Sequence, residues 1–302
     1  RSAGLGLSPK DAVPELQWAG AMAHNRGLSE LVANDPKRHF GVASIPLLFD
    51  VAQAVDAVRW CHENGLKGVM LPTLWGEHAA YHDVKYDPFW EACQDLGIVI
   101  HFHSGPAPHN EYFGPAFPNE DRSAELPGAM GAYVSEVMFW LYRPLTFMLW
   151  GGVFERFPRL KAMVVEGGTM FMVPSWLMLL DHNYTDIQFS AKLGDFRSHL
   201  SMAPSEYFAR NCGIGASCVP RRDLDMRDQI GLKQIMWGSD FPHPEGTWPN
   251  TAQYYQDTFK GFDVDDGRQI LGGNAIEFYG LDRQYLDGLA AEIGPSSSIF
   301  NG

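Results

Sequence analysis

The amino-acid sequence predicts an α/β fold of the (β/α)8 TIM-type barrel class, on three observations. Short apolar runs alternate with amphipathic helical patterns along the chain, the grammar of a parallel sheet with crossover helices. Two of those runs end in chemistry-bearing residues: 99–103 closes on His101 and His103, and 234–237 leads into Gly238-Ser239-Asp240-Phe241-Pro242-His243. A length of 302 residues suits one such unit. Barrels of this class carry their chemistry at the C-terminal ends of the strands.

Each element has a local reason. Residues 39–46 read as a strand, after which Asp50 caps a helix whose Val51, Ala54, Val55, Val58 and Cys61 share one face until Gly65 stops it. A strand at 67–71 is closed by Pro72. Asp87 is the expected N-cap of the next helix, with Pro88 at the first helical position, Phe89, Ala92, Cys93 and Leu96 as its buried stripe, and Gly97 at its end. A strand at 98–103 follows, then a Pro-rich excursion over 105–126, a candidate lid or rim loop. Helical pattern occupies 133–154. A strand at 160–165 runs into Glu166-Gly167-Gly168, and Pro174 opens a helix with Trp176, Leu177 and Leu180 facing inward. Residues 207–214 read as a strand, 235–238 as the last strand, and 265–279 as a closing helix stopped by Gly280. The expected organisation is one barrel over 1–293 with a flexible tail at 294–302. Six strands fall short of the eight of a closed barrel, and the chain opens on Arg1. We therefore expect the first one or two βα units to be missing from this chain.

Composition bounds the function. A formal charge of −13, with no Lys/Arg cluster, excludes the basic surface on which nucleic-acid affinity depends. The four cysteines form no CxxC pair or disulfide-scaffold spacing and fit a reducing cytoplasm. No uninterrupted apolar run is long enough to span a membrane, since 134–154 is broken by Glu136 and Arg143-Pro144. That stretch reads as a packed helix or subunit contact. A serine nucleophile is a poor fit, because no Gly-x-Ser-x-Gly elbow occurs.

Four segments together resemble the metal-dependent amidohydrolase superfamily, in its aminocarboxymuconate-semialdehyde-decarboxylase-like branch. They are His103 closing its strand, Phe157-Pro158-Arg159-Leu160-Lys161 leading to Glu166-Gly167-Gly168, the Gly-Ser-Asp-Phe-Pro-His element at 238–243, and Ile270-Leu271-Gly272-Gly273-Asn274-Ala275. They cover nearly the whole chain in the family's order. The resemblance implies a divalent metal, most often zinc with manganese as the other option, at the C-terminal rim. It places His103 at a metal-ligand position, Asp240 at a carboxylate that binds metal or serves as the base, and Glu166 where many members have a histidine. It also implies ligands from a first-strand His-x-His or His-x-x-Glu pattern. Nothing before His101 offers one, because His24, His39 and His62 are isolated.

The candidate site is therefore Asp240, His243 and Glu166 as catalytic groups and His103, Asp240 and Glu166 as metal ligands. His101, Tyr112, Arg143, Arg210, Trp248 and Glu245 are possible substrate-pocket groups. Each has a plainer explanation. A strand-end histidine can simply bond a carbonyl, and an acid after a strand can cap a turn. His101, two residues before His103, projects to the same face one layer deeper. The expected activity is metal-dependent hydrolysis or non-oxidative decarboxylation of a small carboxylated or cyclic substrate, by a homodimer. The alternatives are a catalytically silent scaffold barrel and a metal-free acid–base enzyme.

Overall fold

The computed structural model describes residues 13–103, 127–167, 170–186 and 191–301. The expected loop at 105–126, with Tyr112, lies outside them. The described residues fall into two compact units, one formed by residues 1–33 and 41–162 and the other by 34–40 and 163–302.

In the first unit, β1 (Val42–Ser44), β2 (Gly68–Leu71) and β3 (Val99–His103) pair in parallel and in chain order. Helices α1 (Pro14–Ala33), α2 (Val51–Glu63), α3 (Asp87–Leu96) and α4 (Pro127–Trp150) accompany them. Strand β1 has β2 on one side only, and a side chain completes it: the buried Asn25 of α1 donates to the Ser44 carbonyl at 2.9 Å and accepts the Ser44 N–H at 2.8 Å. One amide thus satisfies a backbone pair that would otherwise be buried without partners. Asp50 caps α2 through its bond from Gln53 N, as expected, and Ala54, Val55, Val58 and Cys61 are buried. Gly97 ends α3 in the left-handed conformation, φ 67°, that glycine adopts without strain.

The start of α3 differs from expectation. Asp87 is its first helical residue, not its cap, and its carboxylate receives the Arg156 guanidinium through two bonds of 2.9 and 2.8 Å. Engaged there, it has no oxygen turned to the helix N–H groups, yet its charge still suits the first turn. Trp90 joins Phe89 and Cys93 in the core in place of Ala92 and Leu96, and packs edge-on against Tyr81. Helix α4 buries Leu141, Leu145, Met148 and Leu149, the packed helix expected of the apolar stretch. No helix among the described residues is long and apolar enough to cross a membrane.

In the second unit, β4 (Ala162–Val165) begins at the boundary, and β5 (Cys212–Ser217) pairs in parallel with β6 (Ile235–Gly238). Helix α5 (Val173–Thr185) starts with Pro174 in its first turn and buries Leu177 and Leu180, while Trp176 stays half-buried. The expected strand at 207–214 is replaced by helix α6 (Pro204–Asn211), followed by β5. Pro204 sits in the first turn and Glu206 reaches back to accept the Ala203 N–H at 2.8 Å, so local helix-start chemistry outweighs the β-prone Tyr207-Phe208 pair. The closing helix is split into Val264–Arg268 and Asn274–Tyr279 by a π-helical turn at Gln269–Gly273. The wide turn lets Asn274 send its amide to the carbonyls of Leu232 and Ile235, both at 2.8 Å, locking the start of β6. The segment expected to be flexible instead carries a 3-10 turn, Ser297–Phe300, whose Ile299 and Phe300 are buried. Phe300 enters where Gly267 has no Cβ, since an added one would lie 2.2 Å from its ring.

His101 belongs to the core. Its ring is fully buried, Nδ1 lies 3.1 Å from the Val99 carbonyl, and it fills the space beside Gly68, where a Cβ would come within 2.3 Å. Burial, the largest cause, lowers its pKa to about 4 against the pull of the carbonyls of Val99 and Val69. The unfolded chain then takes up a proton near the ordinary value of about 6.5 that the folded core refuses. The stability from this group is therefore complete above about pH 6.5 and is lost as pH falls toward 4, on the order of 3 kcal/mol over the window. Denaturant midpoints at neutral pH and near pH 4.5 should diverge in the wild type, and His101→Gln should flatten that difference. An equally steep acid loss in the variant would assign it to other groups.

Candidate active site

The C-terminal ends of the three strands of the second unit share a backbone signature. Glu166 (φ 59°) follows β4 directly, Cys218 (φ 48°) follows β5 directly, and Asp240 (φ 61°) comes two residues after β6. Non-glycine residues in this left-handed region are uncommon and cluster where surrounding structure holds them. The backbone supplies that hold: Gly167 N–H donates to Gly215 O at 3.0 Å and Cys218 N–H to Gly238 O at 3.2 Å.

The loop after β6 folds back on itself. His243 N–H donates to Asp240 O at 2.8 Å, Gly246 N–H to His243 O at 3.0 Å, and Thr247 N–H to Ser239 O at 2.9 Å. Phe241 N–H reaches Ser239 Oγ at 3.3 Å. Gly246 makes the closure possible. A Cβ there would sit 2.9 Å from the carbonyl oxygens of both Asp240 and Ser239 and 3.0 Å from that of His243.

This closure gathers Asp240, His243 and Glu245, whose potential ligand atoms all lie within 4.8 Å of one another. His243 Nδ1 is 3.4 Å from Glu245 Oε1, both side chains being exposed, while Asp240 is half-buried. Sequence reasoning named Asp240 as the central carboxylate and His243 as a catalytic group, and the structure brings these two together. Glu245, assigned only to the pocket, joins them as a third ligating group. Glu166 lies outside this cluster.

Cys218 escaped the sequence reading altogether. Its thiol points at the carbonyls of Glu245 (3.6 Å) and Ser239 (3.9 Å), inside the same loop. Burial raises its pKa, and the negative charges of Asp240 and Glu245 add to the rise, so it stands there as a neutral thiol. A second unforeseen residue is Asp223, a buried acid beside the backbone of Met170 and Phe171, with Arg222 Nε at 3.4 Å. Desolvation raises its pKa, and Arg222 only partly offsets that. It lies beside the start of the helix that follows Glu166. Neither has a sequence signal beyond its position after a strand.

The remaining candidates separate. His103 is exposed at the end of β3 in the first unit. The core position of His101 rules out the direct role considered for it. Arg210 bonds Asn211 Oδ1 at 2.9 Å and stacks on Tyr207 within α6, ahead of β5, so it stands at the strand end opposite Cys218. A pocket role at the C-terminal rim is thereby removed. Trp248 is 66% exposed and meets Phe241 edge-on at 5.7 Å on the site loop itself. Arg143 lies exposed on α4 in the first unit.

The loop offers carboxylate and imidazole groups, donor types that zinc and manganese both accept.

Comparison with known proteins decides the family. Residues 10–281 match the amidohydrolase family model. The chain belongs to the amidohydrolase family. It is 26% identical over 288 residues to the 2-amino-3-carboxymuconate-6-semialdehyde decarboxylase of Dictyostelium discoideum, covering 94% of this chain and 71% of that protein. It is 25% identical to the gamma-resorcylate decarboxylase of a Polaromonas species, covering 86% of this chain and 76% of the relative. Among solved structures, a dihydroxybenzoic acid decarboxylase from Polaromonas sp. JS666 holds manganese and the inhibitor 2-nitroresorcinol. It superposes with TM-score 0.67 at 21% identity, covering 93% of this chain and 80% of its own. An amidohydrolase from Mycobacterium avium subsp. paratuberculosis K-10 gives TM-score 0.68 at 23% identity, covering 89% of this chain, which spans 66% of that protein's length. The expected fold class and the expected amidohydrolase-related enzyme are both met.

Gly246→Ala tests the loop. The added methyl must separate three carbonyls from the turn, so activity and metal retention should both fall at least tenfold. The thermal midpoint should move little, because the loop is exposed. Unchanged turnover in the variant would mean that the closure does not position the site.

Proposed function

We propose that this chain is a metal-dependent, non-oxidative decarboxylase of small unsaturated or aromatic carboxylates, with Asp240, His243 and Glu245 at the centre of its chemistry. The observation that carries the reading is the convergence of these three side chains beyond β6. Both curated relatives described above are decarboxylases by name, which favours this reaction over hydrolysis.

The residues divide the work. Loss of CO2 breaks the bond from the ring or vinyl carbon to the carboxyl group and leaves the electron pair on that carbon, which must then gain a proton. His243 is placed to hold that proton. In the imidazolium, Glu245 faces Nδ1–H at 3.4 Å and Nε2–H is left to give the proton. When the reaction runs toward carboxylation His243 takes the same proton back, and Asp240, held by the turn in its left-handed backbone conformation, is the carboxylate that stands beside it. A divalent ion, when bound, supplies the positive charge that orients the substrate carboxylate. Asp240 would hold the ion, with Glu166 and His103, each at a strand terminus, as its further ligands, which leaves His243 and Glu245 to the proton. Zinc is the first choice of metal and manganese the second. The same reading makes the protein a cytoplasmic homodimer.

Asp240→Asn should lower kcat at least a hundredfold on an aromatic acid such as 2,6-dihydroxybenzoate, read as CO2 release, with an unchanged circular dichroism spectrum. Chelation should abolish turnover, and zinc or manganese should restore it. Activity that survives chelation would favour metal-free acid–base catalysis. A product formed without CO2 would favour hydrolysis.

A further inference from the structure

Arg143 has surroundings unlike those of five other arginines. Arg156, Arg159, Arg221, Arg227 and Arg283 each pair with a carboxylate. This holds even where the guanidinium also lies over a ring, as Arg227 does over Phe262. In a chain with 36 acidic and 23 basic side chains such partners are plentiful. Arg143 has none within ion-pair distance among the described residues. Three aromatic rings surround it instead: Trp75 at 4.8 Å, Trp140 at 5.2 Å and Phe147 at 5.7 Å from its guanidinium carbon.

The arrangement follows from helix periodicity. Trp140, Arg143 and Phe147 are spaced i, i+3 and i+7 on α4 and share a face. Trp75, only 8% exposed, arrives from the chain that follows β2 and packs edge-on to Phe147 at 5.0 Å. Its other neighbour, Tyr81, rests against Phe102, the residue before His103. The guanidinium is thereby tied to the C-terminal end of β2 and β3, the rim where this fold class binds ligands. Ring faces hold a cation by quadrupole attraction but leave its in-plane N–H donors unused. Arg143 is exposed, so those donors are open to solvent, flanked by indole and phenyl surface.

We propose that Arg143, Trp75, Trp140 and Phe147 form a binding subsite for a carboxylate carried on an aromatic ring. The guanidinium fork takes the carboxylate through paired bonds, and the indoles take the ring. The proposal rests on the reading of the substrate as a small carboxylate, and it deepens that reading by naming a recognition element in the first unit.

The test is direct binding of benzoate to the Asp240→Asn protein, by calorimetry and tryptophan fluorescence. It needs no turnover, so it stands or falls separately from the decarboxylase assignment. Benzoate should bind and change the fluorescence. Arg143→Gln and Arg143→Lys should each weaken it at least tenfold, because lysine keeps the charge but lacks the fork. Both are good helix formers on an exposed position, so the fold is retained. Trp140→Leu should weaken benzoate several-fold while leaving acetate, which has no ring, unaffected. Benzamide, isosteric but neutral, should bind all Arg143 variants equally. Equal benzoate affinity in wild type and Arg143→Gln, or no binding to the wild type at tens of millimolar, would overturn the proposal.

Discussion

A missing methyl group governs the site. The chain leaving β6 must return within nine residues so that Thr247 N–H can reach Ser239 O, and the path takes it across three carbonyl oxygens. Only a residue without Cβ passes between them. Once Gly246 has done so, the loop has little freedom left: Asp240 is fixed in the left-handed region, His243 hangs from Asp240's own carbonyl, and Glu245 is turned toward the imidazole. Backbone geometry brings together three polar side chains that have no hydrophobic reason to meet. This is the preorganisation that a site built on exposed residues needs.

Two histidines two positions apart on one strand illustrate how burial sorts similar chemistry. His101 and His103 point to the same face of β3, and both lay within reach of a functional reading. The deeper one is enclosed above Gly68 and is held neutral by desolvation. It cannot exchange protons near neutrality, and its contribution is to packing and to the acid sensitivity of the fold. The other stands at the exposed strand end. The strand period alone could not distinguish them, because it gives the face and not the depth.

The same division explains what the sequence disclosed. Elements whose boundaries depend on one residue's conformational preference were legible: Asp50 as a cap, and Gly97 and Gly280 as left-handed stops at φ 67° and 62°. Asp240 and His243 were legible because an acid and an imidazole at a strand mouth have few cheap explanations. The helix at Pro204–Asn211 was not. Its start signal, Pro204 with Glu206 reaching back, begins at Ala203, which has no capping oxygen. Tyr207-Phe208 therefore dominated the pattern. Glu245 and Cys218 were illegible for a different reason. Their significance depends on how a loop recrosses itself, and no periodicity encodes that. Asp87 was placed in the right turn but given the wrong partner, since Arg156 lies 69 residues away.

The charge gathered by the loop also constrains the reaction. Asp240 and Glu245 project a negative field strong enough to hinder ionisation of the neighbouring Cys218. A carboxylate substrate entering that field meets like charge, and a low-dielectric pocket would make the repulsion worse. Such a cluster can host an anion only when its own charge is balanced, by protonation of the carboxylates or by a bound cation. Protonation would remove the hydrogen-bond acceptor that orients His243. A divalent cation leaves the acceptor in place and turns repulsion into attraction, so the donor types of the loop and the anionic substrate proposed for it argue for the same ion. The thiol fits this balance. Kept neutral beside two acids, Cys218 adds no third negative charge to the loop.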